Sequence, residues 1–186
     1  MTEKQADIVE AAIATFARYG VKRTTMGDIA EQAGVSRQTL YSFHPNKDEV
    51  LSAAIVSMAD QMILKVKTDW QKTRDLAERL QIYFDHCIIE PYEVLQNMPD
   101  LKDVLNGIGD KSACATQNAY QLKADLLVEG LKGVTLDKSF SNMELQHIAN
   151  FIENSSRNFK YTVNSREELV TLLATLKRSV LAMLVS

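Results

Sequence analysis

The sequence predicts an all-α protein of about nine helices, and three observations favour that fold class. The chain of 186 residues contains only 7 Gly and 3 Pro. Its apolar residues recur with the 3.6-residue period of a helix in several long segments. Strings of β-branched residues are too short to build a sheet, whereas the helix formers Ala, Leu, Gln, Lys and Glu are frequent.

The composition is typical of a globular protein. With 46% hydrophobic and 24% charged residues, the chain is neither disordered nor of low complexity. No apolar run approaches the roughly 20 residues that a membrane-spanning helix needs, and the first residues lack the apolar segment of a secretory signal. We therefore expect a cytoplasmic protein with no membrane partner, built from one domain or two small ones.

Charge and cysteine content exclude two further classes. The net charge is -3, and residues 1–50 carry 6 Lys and Arg against 7 Asp and Glu, so the chain does not coat nucleic acid by bulk electrostatics. Cys87 and Cys114 lie 27 positions apart and form neither a disulfide framework nor a paired metal-ligand spacing. We expect no cofactor and no metal site.

Three short helices are predicted at the start of the chain. They run from about Glu3 to Tyr19, from Thr25 to Gly34 and from Ser36 to Phe43. Thr25 and Asp28 form a Ser/Thr-x-x-acid capping box at the start of the second helix. Gly34 suits the positive φ of a tight turn, and Ser36 caps the third helix directly after it.

The later helices are predicted from caps and apolar stripes. They span about Asn46 to Trp70, Arg74 to Glu90, Pro99 to Leu105, Lys111 to Leu131, Asn142 to Thr162 and Ser165 to Val185. Pro91 is expected to interrupt the helix before it. The last helix is apolar around more than one face, so we expect it to be buried on two sides, inside its own subunit or against a partner chain.

Two of the N-terminal helices are joined as a helix-turn-helix. The turn Ala33-Gly34-Val35-Ser36 offers a small residue for close crossing and a Gly for the turn. Around it stand Thr24-Thr25, Asp28-Ile29-Ala30, Thr39-Leu40-Tyr41 and Pro45-x-Lys47. This combination, within about the first 50 residues, strongly resembles the DNA-binding region of the tetracycline-repressor (TetR) family.

One position departs from the family pattern. The family usually has an aromatic residue directly before the Pro, whereas the order here is Phe43-His44-Pro45. Either Phe43 takes over the packing role or His44 fills it as a neutral ring. The departure therefore concerns the end of the third helix, which in this family reads the DNA sequence, and leaves the first turn of that helix unaffected.

Six residues are predicted to contact DNA. In the first turn of a helix that enters the major groove, Arg37 and Gln38 are suited to base edges, since Arg pairs with guanine and Gln with adenine. Thr39, Tyr41 and Thr25 resemble the family's phosphate-contacting positions. Lys47 would add positive charge next to the free amides of the following helix.

The resemblance implies a division of the chain and a function. Residues 1–47 would form the DNA-binding domain, and residues 48–186 a helical ligand-sensing and dimerisation domain. The protein would be a repressor that binds a palindromic operator as a homodimer, through two reading helices in successive major grooves. A small molecule that prefers the DNA-incompetent state would release it.

The ligand site is less clearly marked in the sequence. Gln117 and Tyr120 are polar positions on an otherwise apolar helical stripe, and a pocket needs few such groups to orient a ligand. Candidates nearby are Tyr83, Phe84, Cys87 and Met98. Side chains of these types at helical spacing are more often core than ligand contacts. We expect an apolar or aromatic small molecule.

Two other classes of function remain as alternatives. An enzyme is disfavoured because no Ser/His/acid, phosphate-loop or carboxylate-pair signature accompanies the His and Cys residues. His86 and Cys87 are adjacent and therefore point about 100° apart on a helix, which suits shared metal ligation poorly. The second alternative is a helical protein-interaction module, or a DNA-binding protein regulated by a partner protein instead of a small molecule.

Overall fold

The computed structural model of the chain describes residues 2–96, 109–136 and 144–185. The part so described contains nine α-helices: α1 (Glu3–Tyr19), α2 (Met26–Gln32), α3 (Arg37–Phe43), α4 (Lys47–Trp70), α5 (Leu76–Phe84), α6 (Glu90–Gln96), α7 (Asp110–Gly130), α8 (Leu145–Thr162) and α9 (Arg166–Met183). The all-α prediction is confirmed. The predicted helix from Pro99 to Leu105 lies outside the described residues.

Local sequence signals account for most helix boundaries. Thr25 and Asp28 form the predicted capping box of α2. The φ angle of Gly34 is positive, as predicted, with a value of 63°. Ser36 and Ser165 cap α3 and α9 by accepting a hydrogen bond from the backbone N–H three residues later. Short polar side chains at these positions satisfy amides that a helix leaves unpaired.

The prediction that Pro91 interrupts its helix is wrong. A π-helical segment, Asp85–Ile89, joins α5 to α6, and the helical course continues through Pro91 to Gln96. Proline breaks an α-helix because it lacks an N–H and because its ring collides with the carbonyl four residues earlier. The widened turn directly before Pro91 relieves that collision.

The sequence also missed a short antiparallel pairing. Residues Thr135–Leu136 pair with Leu184–Val185, directly after the last turn of α9. Gly133, with φ of 85°, lies in the turn that leads from α7 to this pairing. Each strand has only two residues, so the pairing leaves the all-α class unchanged.

The chain forms two compact units. Unit 1 holds residues 2–60 together with residues 94–96 and 109–119, and unit 2 holds residues 61–93 together with the described residues from 120 onward. These units are defined by packing, whereas the predicted boundary between residues 47 and 48 separates two functions. That boundary stays a prediction.

Each unit has its own hydrophobic core. In unit 1, apolar residues of α1, α2, α3 and the first turns of α4 surround the fully buried Ile8, Ile29 and Leu40. In unit 2, the core is built around Tyr83, Phe84 and Ile88, with α8 and α9 packed against them. None of the helices that the structure describes is long and apolar enough to cross a membrane.

Trp70 occupies a tight position at the end of α4. Its indole N–H donates to the carbonyl oxygen of Arg79 at 2.9 Å. A Cβ atom placed on Gly130 would lie 2.5 Å from the Trp70 ring. Only a residue without a side chain therefore allows the end of α7 to pass this close to the ring.

We expect Gly130→Ala to lower the free energy of unfolding by about 1–3 kcal/mol, because the buried ring must shift to admit the methyl group. Urea-induced unfolding, followed by circular dichroism and Trp70 emission, measures the change. Gly27→Ala is the matched control: its new Cβ would meet only the far end of the flexible Arg37 side chain, at 2.6 Å, so its effect should be near zero. Equal losses in the two variants would contradict the packing argument.

Candidate functional site

The loop residues before α3 fix the position of the first turn of this helix. Ser36 Oγ accepts a hydrogen bond from the backbone N–H of Thr39 at 3.0 Å and lies 2.9 Å from the Thr39 hydroxyl. Leu40 anchors the opposite face of the helix in the core of unit 1. Arg37 and Gln38, the predicted base-contacting residues, are consequently exposed on neighbouring positions of this turn.

Arg37 turns back toward α2. Its guanidinium lies over the backbone of Gly27, where a Cβ atom would come within 2.6 Å of Nη2. The charge of Arg37 contributes to lowering the pKa of Asp28, although hydrogen bonds from the Thr25 backbone and side chain have the larger effect. A base contact by Arg37 stays a prediction, and it requires the side chain to swing away from Gly27.

Thr25 combines a structural role with an available donor. Its hydroxyl oxygen accepts from the Asp28 N–H at 3.2 Å, while its own backbone N–H donates to Asp28 Oδ2 at 2.8 Å. A hydroxyl that accepts one hydrogen bond can still donate another. Thr25 and Tyr41 are exposed and Thr39 is half-buried, so the phosphate contacts predicted for these residues remain predictions.

The Lys47 side chain forms hydrogen bonds with the protein backbone. Its ammonium donates to the carbonyl oxygens of Val21, Lys22 and Thr24, at 2.9, 3.2 and 3.0 Å. An ammonium group has three donors, and here all three end on the turn between α1 and α2. The phosphate contact predicted for Lys47 stays a prediction, but in this conformation the side chain holds the turn in place.

Phe43 and His44 share the packing role at the end of α3. The half-buried Phe43 packs against the core of unit 1. The buried Nε2 of His44 has no hydrogen-bond partner among the described residues. Burial lowers the pKa of His44, which Glu49 opposes only in part, so the ring is neutral near pH 7. Both of the alternatives that the sequence left open therefore apply.

A surface cleft in unit 1 lies beside α1 and α2. It is lined by Thr15, Arg18, Tyr19, Arg23, Asp28, Glu31 and Gln32. The lining carries both signs of charge and includes none of the residues predicted to contact DNA or a ligand. The cleft therefore does not mark either predicted site.

The residues predicted to bind a ligand are divided between the units. Tyr83, Phe84 and Cys87 are buried in unit 2, and Tyr120 of the same unit is half-buried. Gln117 belongs to unit 1 and is exposed. Met98 lies outside the described residues. The structure thus brings Tyr83, Phe84, Cys87 and Tyr120 into one unit, and their role in binding stays a prediction.

Four charged side chains lie beside these aromatic residues inside unit 2. Lys123 of α7 and Glu153, Arg157 and Lys160 of α8 form what we term the buried charge cluster. Lys123 is 5% exposed, Glu153 2% and Lys160 8%. The Tyr120 ring lies beneath the Arg157 guanidinium, with Cζ 4.0 Å from the ring centroid. Sequence reasoning named none of these four residues.

A signal for the cluster was present in the helical spacing. Lys123 follows Tyr120 by three positions and precedes Leu127 by four, which places it on the buried face of α7. Glu153 and Lys160 are seven positions apart and continue the stripe of Ile148 and Ile152 on α8. Charged residues within an apolar stripe are the pattern that could have revealed them.

The cluster perturbs its neighbours electrostatically. Burial raises the pKa of Cys87 to about 12, although Lys123 and Lys160 oppose the change. The thiol is therefore neutral near pH 7. Over the described ranges, no group of three or more His, Cys, Asp or Glu side chains is arranged to hold a metal ion.

Comparison with known sequences relates the N-terminal region to regulatory proteins. Residues 8–54 match the family described as bacterial regulatory proteins, tetR family. The HTH-type transcriptional regulator TtgR of Pseudomonas putida is 46% identical over 56 residues, which cover 30% of this chain and 27% of that protein. The chain thus spans about a quarter of that relative's length, and the family match includes α2, α3 and the start of α4.

Comparison with solved structures covers the whole chain. A TetR transcription regulator from Haloarcula marismortui has a TM-score of 0.74 at 17% identity, over 100% of both chains. FadR of Thermus thermophilus, a TetR-family repressor solved in complex with lauroyl-CoA, has a TM-score of 0.66 at 21% identity, over 98% of this chain and 96% of that chain. At these identities the likeness concerns the fold. The N-terminal region, residues 8–54, therefore matches the tetR family of bacterial regulatory proteins, and the chain as a whole shares the fold of these solved structures.

Proposed function

We propose that the protein is a sequence-specific transcriptional regulator, and not an enzyme, which acts in the cytoplasm. It binds a palindromic DNA operator as a homodimer and is released by a small-molecule effector. A regulator that leaves its operator when the effector binds would act as a repressor. The observation that carries the proposal is the exposed first turn of α3, fixed by the Gly34 turn and the Ser36 cap within the family-matched segment.

Specific DNA binding follows from the chemistry of that turn. Arg37 and Gln38 are the two side chains with the donors and acceptors to discriminate base edges in the major groove. Thr25, Thr39 and Tyr41 are the proposed backbone contacts, whereas Lys47 is proposed to hold the turn after α1, to which its three hydrogen bonds run. Contacts to phosphate fix the position of a protein on the duplex, whereas contacts to bases select the sequence.

Dimerisation is proposed through α8 and α9. Phe151 on α8 is 44% exposed and Val170 on α9 is 37% exposed. Large apolar side chains on adjacent helices of one unit are suited to a self-complementary interface about a two-fold axis. A two-fold dimer would place its reading helices about 34–36 Å apart, one turn of the DNA.

The effector site is proposed in unit 2. Tyr83, Phe84, Cys87 and Tyr120 supply an apolar and aromatic lining, with Gln117 and Met98 as further candidate contacts. The Thermus FadR structure contains lauroyl-CoA, which supports a small-molecule effector for a protein of this fold. Binding need only favour the DNA-incompetent state to release the operator.

Selection of the purified protein against random duplex DNA tests the proposed function. We expect enrichment of a palindrome from the wild type. Arg37→Ala and Gln38→Ala should each lose about 1–3 kcal/mol of discrimination at one position of the half-site, measured by titrating matched and mismatched duplexes. Binding without sequence preference, in the wild type as well as in the variants, would contradict the proposal and favour a protein-interaction module.

Lys47→Met tests whether Lys47 acts on the fold or on DNA. Loss of three hydrogen bonds from a charged donor should lower the free energy of unfolding by about 1–3 kcal/mol. The slope of log K against log salt for operator binding should stay unchanged, because an ammonium bound to carbonyl oxygens releases no counterions from DNA. Lys132→Met, in an exposed turn of unit 2, is the control. A slope smaller by about 0.9 per lost contact would restore the phosphate role.

Phe151→Glu tests the proposed dimer interface. A charged residue in an apolar interface would be desolvated without a partner, so the dissociation constant of the dimer should rise at least tenfold while the helical content stays constant. Sedimentation velocity over a concentration series measures the change. Val56→Glu, an exposed apolar site on α4, is the matched control. A monomeric wild type, or equal effects of the two variants, would contradict the assignment.

A further inference from the structure

The buried charge cluster contains more positive than negative charge. Lys123, Arg157 and Lys160 surround one carboxylate, that of Glu153. Taking a charge out of water costs several kcal/mol unless a partner of opposite charge compensates it. Proteins therefore rarely bury Lys without pairing it. Arg157 is partly exposed, so two buried lysines and one buried carboxylate leave this interior with an excess of one positive charge.

The contacts within the cluster are long for a structural ion pair. Lys123 Nζ lies 3.8 Å from Glu153 Oε1, and Arg157 Nη1 lies 3.6 Å from Glu153 Oε2. Charge-assisted hydrogen bonds between such groups are normally 2.7–2.9 Å, roughly an ångström shorter. The tyrosine ring beneath Arg157 and Lys123 attracts both cations, but a ring face compensates less than a full negative charge.

Two polar atoms in this region are buried without a hydrogen bond. Within the described ranges, the Tyr83 hydroxyl and Glu153 Oε1 have no hydrogen-bond partner, and Oε1 has only the long ion pair with Lys123. Tyr83 lies close enough to Glu153 and Arg157 for their charges to act on its pKa, which burial raises. Most buried polar atoms in native proteins are satisfied, so the unpaired Tyr83 hydroxyl, a possible donor beside an unbalanced charge cluster, indicates a site for a ligand that accepts hydrogen bonds.

The electrostatic environment agrees with the geometry. Burial lowers the pKa of Lys123 and lowers that of Lys160 to about 7, with mutual repulsion between the two ammonium groups adding to the effect on Lys160. Burial also raises the pKa of Glu153 in spite of its three basic neighbours. Each group is therefore poorly stabilised as an ion, and an added anion would stabilise both lysines.

The surroundings restrict the chemistry of that anion. Tyr83, Phe84, Cys87 and Ile152 place the cluster against the apolar core of unit 2. The cluster therefore suits an anionic group attached to an apolar body. Arg157 keeps contact with solvent, since 21% of its side chain is exposed, so the buried groups proper are Lys123, Lys160 and Glu153. Their excess is one positive charge, which a single carboxylate matches, whereas a phosphate dianion would carry more charge into a region from which water is largely excluded.

We propose that Lys123 and Lys160 bind the carboxylate of a hydrophobic organic acid, with the Tyr83 hydroxyl as an additional donor and the apolar core of unit 2 around the rest of the molecule. This inference rests on the proposed function, since the acid would be its effector. It assigns Lys123 and Lys160 to ligand recognition, and it adds an anionic group to the apolar or aromatic ligand that the sequence predicts.

Matched acid and alcohol probes test the proposal. Octanoate and 1-octanol form an aliphatic pair, and 2-naphthoate and 2-naphthalenemethanol an aromatic pair. We expect at least one acid to raise the melting temperature of the full-length protein and to bind at least tenfold more tightly than its alcohol in calorimetric titration. Sodium phosphate and sodium chloride at the same concentrations should raise it less. No response to either acid, or an equal response to the inorganic anions, would overturn the proposal.

Variants locate the binding site. Lys160→Met and Lys123→Met keep the length of the side chain and remove its charge, so the preference for acid over alcohol should fall at least tenfold. The melting temperature without ligand should stay constant or rise, because an uncompensated buried charge is removed. Lys132→Met, in an exposed turn, should behave as the wild type. Unchanged acid binding in both cluster variants would overturn the assignment.

A milder substitution covers the case in which the methionine variants do not fold. Tyr83→Phe removes only an unpaired hydroxyl, so it should weaken acid binding severalfold without lowering the melting temperature. Unchanged affinity would remove Tyr83 from the site, and a lower melting temperature would show that its hydroxyl has a structural partner. Operator selection separates the two hypotheses: specific DNA binding without any acid response overturns only this inference, and acid binding without specific DNA binding overturns only the proposed function.

Discussion

The contact between Lys47 and the turn after α1 governs the geometry of the N-terminal unit. The Lys47 ammonium group at the start of α4 donates hydrogen bonds to three carbonyl oxygens of residues 21–24. These carbonyls belong to the turn that leads into α2, whose capping box begins at Thr25. Because α3 follows α2 through a fixed glycine turn, its orientation depends on where that turn is held. A half-buried cation thus positions the surface that is proposed to read DNA.

The second unit follows the opposite principle. The charges of its buried charge cluster are not arranged to satisfy one another: the distances around Glu153 are long, and burial disfavours the charged forms of Lys123, Lys160 and Glu153. Proteins tolerate such arrangements where binding repays them, which is why strongly perturbed groups cluster at functional sites. The N-terminal unit therefore uses the half-buried charge of Lys47 to fix its backbone, whereas the buried charge cluster of the second unit retains charge that the fold itself does not use.

The sequence predicts the caps and turns, because these depend on residues that are close together in the chain. Thr25 with Asp28, Gly34, Ser36 and Ser165 all act within three or four residues, so their roles can be derived from spacing alone. Lys47 shows the limit, because its acceptors lie 23 to 26 positions earlier in the chain and only the folded turn brings them together. The charge cluster escaped detection for a related reason: Lys123 and Lys160 are residue types usually found on the surface, and their burial depends on how separate helices pack.

The π-helical segment has a consequence for comparing this protein with its relatives. A π turn holds one residue more than an α turn, so Asp85–Ile89 behaves as a single-residue insertion within an otherwise α-helical rod. Deleting one residue there would close the segment into a regular α-helix with the buried Tyr92 still facing the core. A relative that lacks the extra residue would bury the same face through an uninterrupted α-helix. Aligning the two sequences without a gap would therefore pair core positions with surface positions after Ile89.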